Sequence, residues 1–218
     1  MLMSRSLRRL LPLAAALATG LAATTAAADN PDESATASDS VSKAIFAGGC
    51  FWCMEPPFDR QSGVIDVTSG YTGGDVDDPG YEAVSSGNTG HAEAVEVTYD
   101  ADRIGYDELL QVFWRNVDPF AENYQFCDHG NQYRAAIFYR NEQQRELAEA
   151  SLADMRERFD QPLATGLEPA DTFWDAEDYH QDYADKNPVR YKFYRFRCGR
   201  DDRLEAVWGD EAGGPTFD

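Results

Sequence analysis

Hydrophobic and polar positions along the chain fall into short periodic blocks separated by turn-rich stretches. Lys43–Ala47 is a short apolar run that stops at Gly48-Gly49, which predicts a strand, and a short helix is expected over Met54–Arg60. Val64–Tyr71 reads as a strand, and Thr72–Gly90, dense in Gly, Asp and Ser, reads as loop. Ala92–Tyr99 alternates acid with Ala and Val, as a half-buried strand does. Tyr106–Val117 places Leu109, Leu110, Phe113 and Trp114 at helical spacing. Tyr133–Arg140 is again strand-like. Asn141 with Gln144 three residues on forms a capping box for a helix reaching Phe159, with Leu147, Ala148, Leu152, Met155 and Phe159 as its stripe. Beyond Pro162 the chain reads mostly as loop, with one short helix near Ala176–Ala184.

In order these elements are β-α-β-β-α-β followed by a helix. That order suits a split-βαβ α/β (α+β) domain, a two-layer sandwich with extra loops and a helix. The segment from residue 43 to 208 reads as a single domain, without internal repeat or second linker.

The ends differ from the middle. Residues 1–28 carry Arg5, Arg8 and Arg9, an apolar run from Leu10 to Ala23, and Ala26-Ala27-Ala28 before Asp29. This is the pattern of an export signal, and the apolar run is short of the roughly 20 residues of a membrane span. Export to the periplasm or another extracytoplasmic space is therefore expected. Residues 29–42 are small, polar and acidic and read as a disordered leader, and the tail 209–218 reads likewise as flexible.

Charge narrows the functional classes. The 218 residues hold 19 Lys+Arg against 39 Asp+Glu, a formal net charge of −20. Such a surface repels phosphate backbones and anionic membranes, so no nucleic-acid partner is expected. Only Lys43, Lys186 and Lys192 are lysines, which suits a surface hydrated at high salt or simply a soluble one.

The four cysteines offer chemistry. In AGGCFWCMEPPFD (47–59) a strand ends at two glycines and then presents Cys50, two aromatics and Cys53. A cysteine just ahead of a helix lies near unpaired N–H groups and the positive dipole end, which favour the thiolate. Pro56 and Pro57 complicate this, because they cannot donate the bonds of a second helical turn. The C-x-x-C pair reads as a redox dithiol, half of a metal site, a nucleophile with its resolving partner, or a structural disulfide. Zinc knuckles use a second close pair. Here Cys127 and Cys198 are singletons and His91, His129 and His180 are scattered, so no metal is expected.

GGCFWCMEPPFD resembles the signature of the peptide methionine sulfoxide reductase A family. The likeness continues through SGYTGG (69–74), YEAVSSGNTGHAEAVEVTYD (81–100), QFCDHGNQYRAAIFY (125–139), AEDYHQDYADKNP (176–188) and RYKFYRFRCGRD (190–201). Cys53 stands where many members carry Gly. The resemblance implies a ferredoxin-like α/β plait and reduction of the S-epimer of methionine sulfoxide, free or in oxidised proteins and peptides. It makes Cys50 the nucleophile and Glu93 the acid that protonates the sulfoxide oxygen. Tyr81 and Tyr133 would hydrogen-bond that oxygen, with Asp128 in the same polar network. Phe51 and Trp52 would line an apolar pocket for the substrate methyl. No cofactor is implied, and thioredoxin or another dithiol would be the reductant of what is expected to be a monomer.

The chemistry accounts for these residue types. Thiolate attack on a sulfoxide sulfur pushes charge onto oxygen, so proton donors must stand there. Glu93 serves only if burial keeps it protonated, and strand alternation puts it on the face of Val95 and Val97, with Glu96 opposite. The sulfenic acid left on Cys50 needs a second thiol: Cys53 is the first expectation, with Cys198 as second resolver or relay, since it follows a strand-like run ahead of the tail. Cys127 is equally open to a reading as a buried bystander. A dithiol–disulfide oxidoreductase using Cys50 and Cys53 is the alternative, but it leaves Glu93 and the two tyrosines without a use.

Overall fold

Strand β1 (Val41–Gly48) carries a nearly continuous apolar run because it lies inside a sheet covered on both faces. Ala44 and Phe46 enter the large core, and Ile45 and Ala47 a smaller cluster behind the sheet. The computed structural model describes residues 40–217, so the export signal and leader residues 29–39 lie outside the described residues.

Helix α1 (Phe51–Asp59) follows β1 and leads to β2 (Val64–Thr72), α2 (Tyr81–Ser85), β3 (Ala92–Asp100) and α3 (Tyr106–Trp114). A small hairpin of β4 (Tyr124–Gln125) and β5 (Asp128–His129) precedes β6 (Ala135–Tyr139), α4 (Glu142–Arg158), β7 (Gly166–Pro169) and β8 (Trp174–Asp175). The chain ends in α5 (Tyr183–Lys186), α6 (Pro188–Arg197) and α7 (Arg200–Trp208). The sheet order is β7-β6-β1-β3-β2-β8, with β6–β7 parallel and the other pairs antiparallel. Its inner four strands, β6-β1-β3-β2, have the plait order that two interleaved β-α-β units generate. The expected two-layer α/β fold is therefore present.

The register sets the faces. Phe46 lies opposite Val95 and Ala44 opposite Val97, and these side chains face α1 and α3. Phe46 stacks against Phe58 of α1 at 5.1 Å and Phe113 of α3 at 5.4 Å. Behind the sheet, Ala92, Ala94, Ala136 and Phe138 are covered by Ala170 and Phe173 rather than by a helix. Gly70 permits this cover, since a Cβ there would meet the Trp174 carbonyl at 2.4 Å. Glu96 points to this rear face, paired with Lys43 and Arg140.

Four expectations need correction. Val41 and Ser42 are not leader but pair with Asp100 and Tyr99, because the sheet edge supplies partners that local composition does not reveal. Asn141 caps α4, its side chain accepting from Gln144 N–H at 2.9 Å, but Oε1 of Gln144 accepts from Arg140 N–H rather than closing the box on Asn141. The short helix expected near Ala176–Ala184 forms later and shorter, as α5. The segment from Gly209 is packed rather than loose. Trp208 just before it is buried with its indole N–H on the Val117 carbonyl, and Phe217 exchanges backbone and side-chain hydrogen bonds with Gln61 and Ser62.

Candidate active site

The turn out of β1 places the first cysteine. Gly49 has φ +82°, and a Cβ there would meet the Gln125 side chain at 2.6 Å, so only glycine takes the chain round this corner. Cys50 is the residue before α1, and α1 runs unbroken through Pro56 and Pro57. The helix therefore begins at Phe51, three residues earlier than the apolar pattern predicts, and tolerates the two missing donors. Cys53 N–H bonds back to the Cys50 carbonyl at 3.0 Å, closing the first turn.

Another N–H of this turn has an unusual acceptor. Phe51 N–H donates to Oε2 of Glu93 at 3.2 Å. Glu93 comes from β3 on the face of Val95 and Val97, as alternation requires, and is 2% exposed. Burial pushes its carboxyl up to about 8, the charges of Asp128 and Cys53 adding to this and the Phe51 N–H opposing it. Glu93 is thus a neutral acid at pH 7, with one oxygen fixed by the helix terminus.

The cysteines differ in access and in charge. Cys50 is 7% exposed and Cys53 1%, and neither is in a disulfide. Burial pushes the Cys50 thiol well up, helped by its hydrogen bond with Cys53 and by Glu93. The same hydrogen bond, together with the Arg200 and Arg195 guanidiniums, pulls Cys53 down to about 6. The two sulfurs hold one negative charge between them near neutral pH and keep their second proton.

Tyr81, at the start of α2, and Tyr133, closing the turn Asn131–Tyr133, meet at this place. Burial and the Glu93 charge push Tyr81 up to about 12 and Tyr133 further, so both hydroxyls keep their protons. Tyr81, Asp128 and Cys50 also act on Tyr133. Asp128, in β5, accepts the Tyr194 hydroxyl of α6, and burial raises its carboxyl. The five residues Cys50, Glu93, Tyr81, Tyr133 and Asp128 are therefore brought together.

The two aromatics after Cys50 part company. Phe51 is fully buried, its ring 5.9 Å from the Tyr71 ring and 4.9 Å from His180. Trp52 is half-buried and stacks on Tyr183 at 3.7 Å, with Tyr194 edge-on at 5.8 Å. Its indole N–H donates to His180 Nδ1 at 3.1 Å, which leaves the His180 proton on Nε2. Beside Trp52 opens a groove of about 450 Å³ lined by Tyr183, Val189, Arg190, Phe193 and Tyr194.

Cys198 is not free to swing. It caps α6, a helix where a strand-like run was expected, and is bonded to Cys127. Cys127 is exposed, not a buried bystander, because the β4–β5 turn carries it outward. The two cysteines that stand alone in sequence are a pair in space. Several contributing residues carry no local signal. Glu177 accepts both the Tyr71 hydroxyl and the Tyr81 N–H, at 3.0 and 2.8 Å. Arg200 is buried, donates to the Asn116 carbonyl at 2.6 Å and lies over the Phe126 ring at 4.3 Å. Tyr194 and Arg200 fall within RYKFYRFRCGRD, and Glu177 within AEDYHQDYADKNP, stretches that carry the family resemblance.

Comparison with known proteins gives concordant results. The sequence model of the family described as peptide methionine sulfoxide reductase matches residues 42–212. Peptide methionine sulfoxide reductase MsrA of Bacillus licheniformis is 50% identical over 168 residues, 76% of this chain and 93% of that protein. The protein of the same description from Bacillus subtilis is 49% identical, over 76% of this chain and 95% of its own length. Among solved structures, Mxr1 of Saccharomyces cerevisiae in reduced form superposes with a TM-score of 0.65 at 33% identity, over 69% of this chain and 87% of that one. Methionine sulfoxide reductase A of Corynebacterium diphtheriae does so with 0.63 at 32% identity, over 70% and 78%.

Proposed function

This chain belongs to the peptide methionine sulfoxide reductase A family, and on that premise we propose that Cys50 is the nucleophile and Glu93 the proton donor of its reaction. The chain is an enzyme that reduces methionine sulfoxide to methionine by cysteine chemistry. The observation that carries the residue roles is the neutral Glu93 carboxyl, held by the N–H of the residue that follows Cys50.

The steps follow from charge. The shared thiolate charge moves to Cys50 as it attacks the sulfoxide sulfur, and negative charge builds on oxygen. Glu93 gives its proton to that oxygen, while the Tyr81 and Tyr133 hydroxyls donate hydrogen bonds to it. Trp52 and the groove beside it hold the apolar part of the S-epimer. Methionine leaves, and the sulfoxide oxygen remains on Cys50 as sulfenic acid. Cys53, the sulfur whose thiolate is favoured, then displaces water to give a Cys50–Cys53 disulfide. A thioredoxin-type dithiol returns the pair to thiols.

The test is peptide mapping after a single turnover with reductant withheld. A Cys50–Cys53 link is expected. A product in which Cys50 is joined to Cys198 would overturn the order of steps.

Export belongs to the same reading. The basic, apolar and small-residue pattern of residues 1–28 supports a cleaved signal and an extracytoplasmic site of action. N-terminal sequencing of the protein from fractionated cells is expected to begin at Asp29 in the extracytoplasmic fraction. A chain retaining Met1 in the cytosol would contradict it.

A further inference from the structure

Helix α6 is a local exception to the composition of the chain. Its ten residues, PVRYKFYRFR, hold four bases and no acid, in a protein whose formal net charge is −20. Its inner side is anchored, since the Tyr194 hydroxyl bonds Asp128 and Arg195 Nε donates to Asp201 at 2.8 Å. Its outer side is not. Val189, Phe193 and Phe196 are 80%, 66% and 79% exposed, and their spacing of four and three residues aligns them in one stripe along the helix. Arg190 and Arg197 border the stripe on one side and Lys192 on the other. Of the four bases only Arg195 is ion-paired among the described residues. Apolar side chains left in water and rimmed by unpaired charge mark a binding surface.

The position of the stripe identifies its occupant. At its start Val189, Arg190 and Phe193 line the groove that opens beside Trp52, so a chain lying along α6 is continuous with the group held at the site. From Val189 to Phe196 the helix rises about 10 Å, the reach of about three residues of extended chain. A second copy paired face to face would set Arg190, Lys192 and Arg197 against themselves. We infer that this face of α6 is a docking strip for the client polypeptide, which takes the residues next to the methionine sulfoxide and selects segments that are both apolar and acidic. This rests on the site described above, because the sulfoxide side chain beside Trp52 decides where its neighbours fall. Apolar side chains of the client cover Val189, Phe193 and Phe196, and its Asp or Glu residues pair with Arg190 and Arg197. The acidic remainder of the enzyme repels such a client, so the basic helix also sets the line along which it approaches.

Turnover of matched peptides tests this, with dithiothreitol as reductant so that no protein dithiol competes for the surface. One peptide carries Leu-Glu-Leu on each side of methionine S-sulfoxide, a second Leu-Lys-Leu and a third Ser-Glu-Ser. At low salt kcat/KM is expected to favour the first over each of the others by about tenfold, and the preference for acid is expected to shrink in molar salt. In the double variant Arg190→Glu, Arg197→Glu the ratio of the first peptide to the second is expected to fall below one. A ratio of two substrates on one sample does not depend on how much of the variant is folded. Equal kcat/KM for the first two peptides with the wild type, or a ratio that the double variant leaves unmoved, would overturn the docking strip and leave the function of the site standing. Sedimentation of the wild type with phosphatidylglycerol vesicles, lost in Phe196→Ser and without a peptide preference, would assign the face to a lipid surface and overturn the strip as well. No turnover of any of these peptides or of free methionine sulfoxide would overturn the function proposed for the site, and the strip with it.

Discussion

The Phe51 N–H and the Glu93 carboxyl meet at 3.2 Å, so the first free donor of α1 is spent on a buried acid from β3. This contact fixes the acid relative to Cys50, whose own backbone precedes Phe51. It also leaves the other carboxyl oxygen to carry the proton.

Activity should follow that proton. The donor works only while protonated, so turnover is expected to hold up to about pH 8 and fall above it. Glu93→Gln should lower kcat/KM by about 10²–10⁴ and remove the alkaline limb. A pH–rate profile of both proteins checks this, and an unchanged alkaline limb in the variant would count against Glu93.

Stability should move with the same group. Glu93 is raised from its ordinary 4.5 to about 8 on folding, so the native state binds the extra proton between those values. The resulting stability is fully present below about pH 4.5 and is lost as pH rises through about 8. Glu55, buried and raised to about 7, adds a loss in the same direction. Glu93→Gln should therefore be more stable than the wild type at pH 9 by on the order of a few kcal/mol, with the difference shrinking toward pH 5. Thermal melts across that range decide it.

Arg200 should tune the resolving sulfur. Its guanidinium helps to pull Cys53 down to about 6. Arg200→Met should shift the first thiolate titration upward, read by ultraviolet thiolate absorbance. It should also cost about 1–3 kcal/mol by leaving the Asn116 carbonyl without its donor.

The corner before Cys50 should be intolerant. Gly49→Ala must adopt φ near +82° and meet the Gln125 side chain at 2.6 Å. A loss of about 1–3 kcal/mol is expected, with a fall in kcat because Cys50 is moved relative to Glu93. Melting and turnover of the variant together check it.

Periodicity made the inner sheet legible. Ala92–Tyr99 alternates because one face meets α1 and α3 and the other meets Phe173, and that alternation alone assigns Glu93 and Glu96 to opposite sides. The stretch RYKFYRFR misleads for a physical reason. Its alternation of aromatic and basic residues imitates a strand, yet Pro188 opens a helix that turns Tyr194 toward Asp128 and leaves Val189, Phe193 and Phe196 exposed. Leu204 and Trp208 were hidden among Asp201, Asp202 and Arg203, so α7 and the packed tail left little trace. The reactive residues Cys50 and Cys53 were visible as a motif. The Cys127–Cys198 bond was not, because partners 71 residues apart in sequence are joined only by the fold.

The most direct test of the central claim is turnover of racemic methionine sulfoxide with dithiothreitol, resolved by chiral chromatography, for the wild type and Cys50→Ser. The account predicts that the wild type consumes the S-epimer alone and that the variant consumes neither. Persistence of both epimers with folded, reduced wild type, or undiminished turnover by Cys50→Ser, would contradict it.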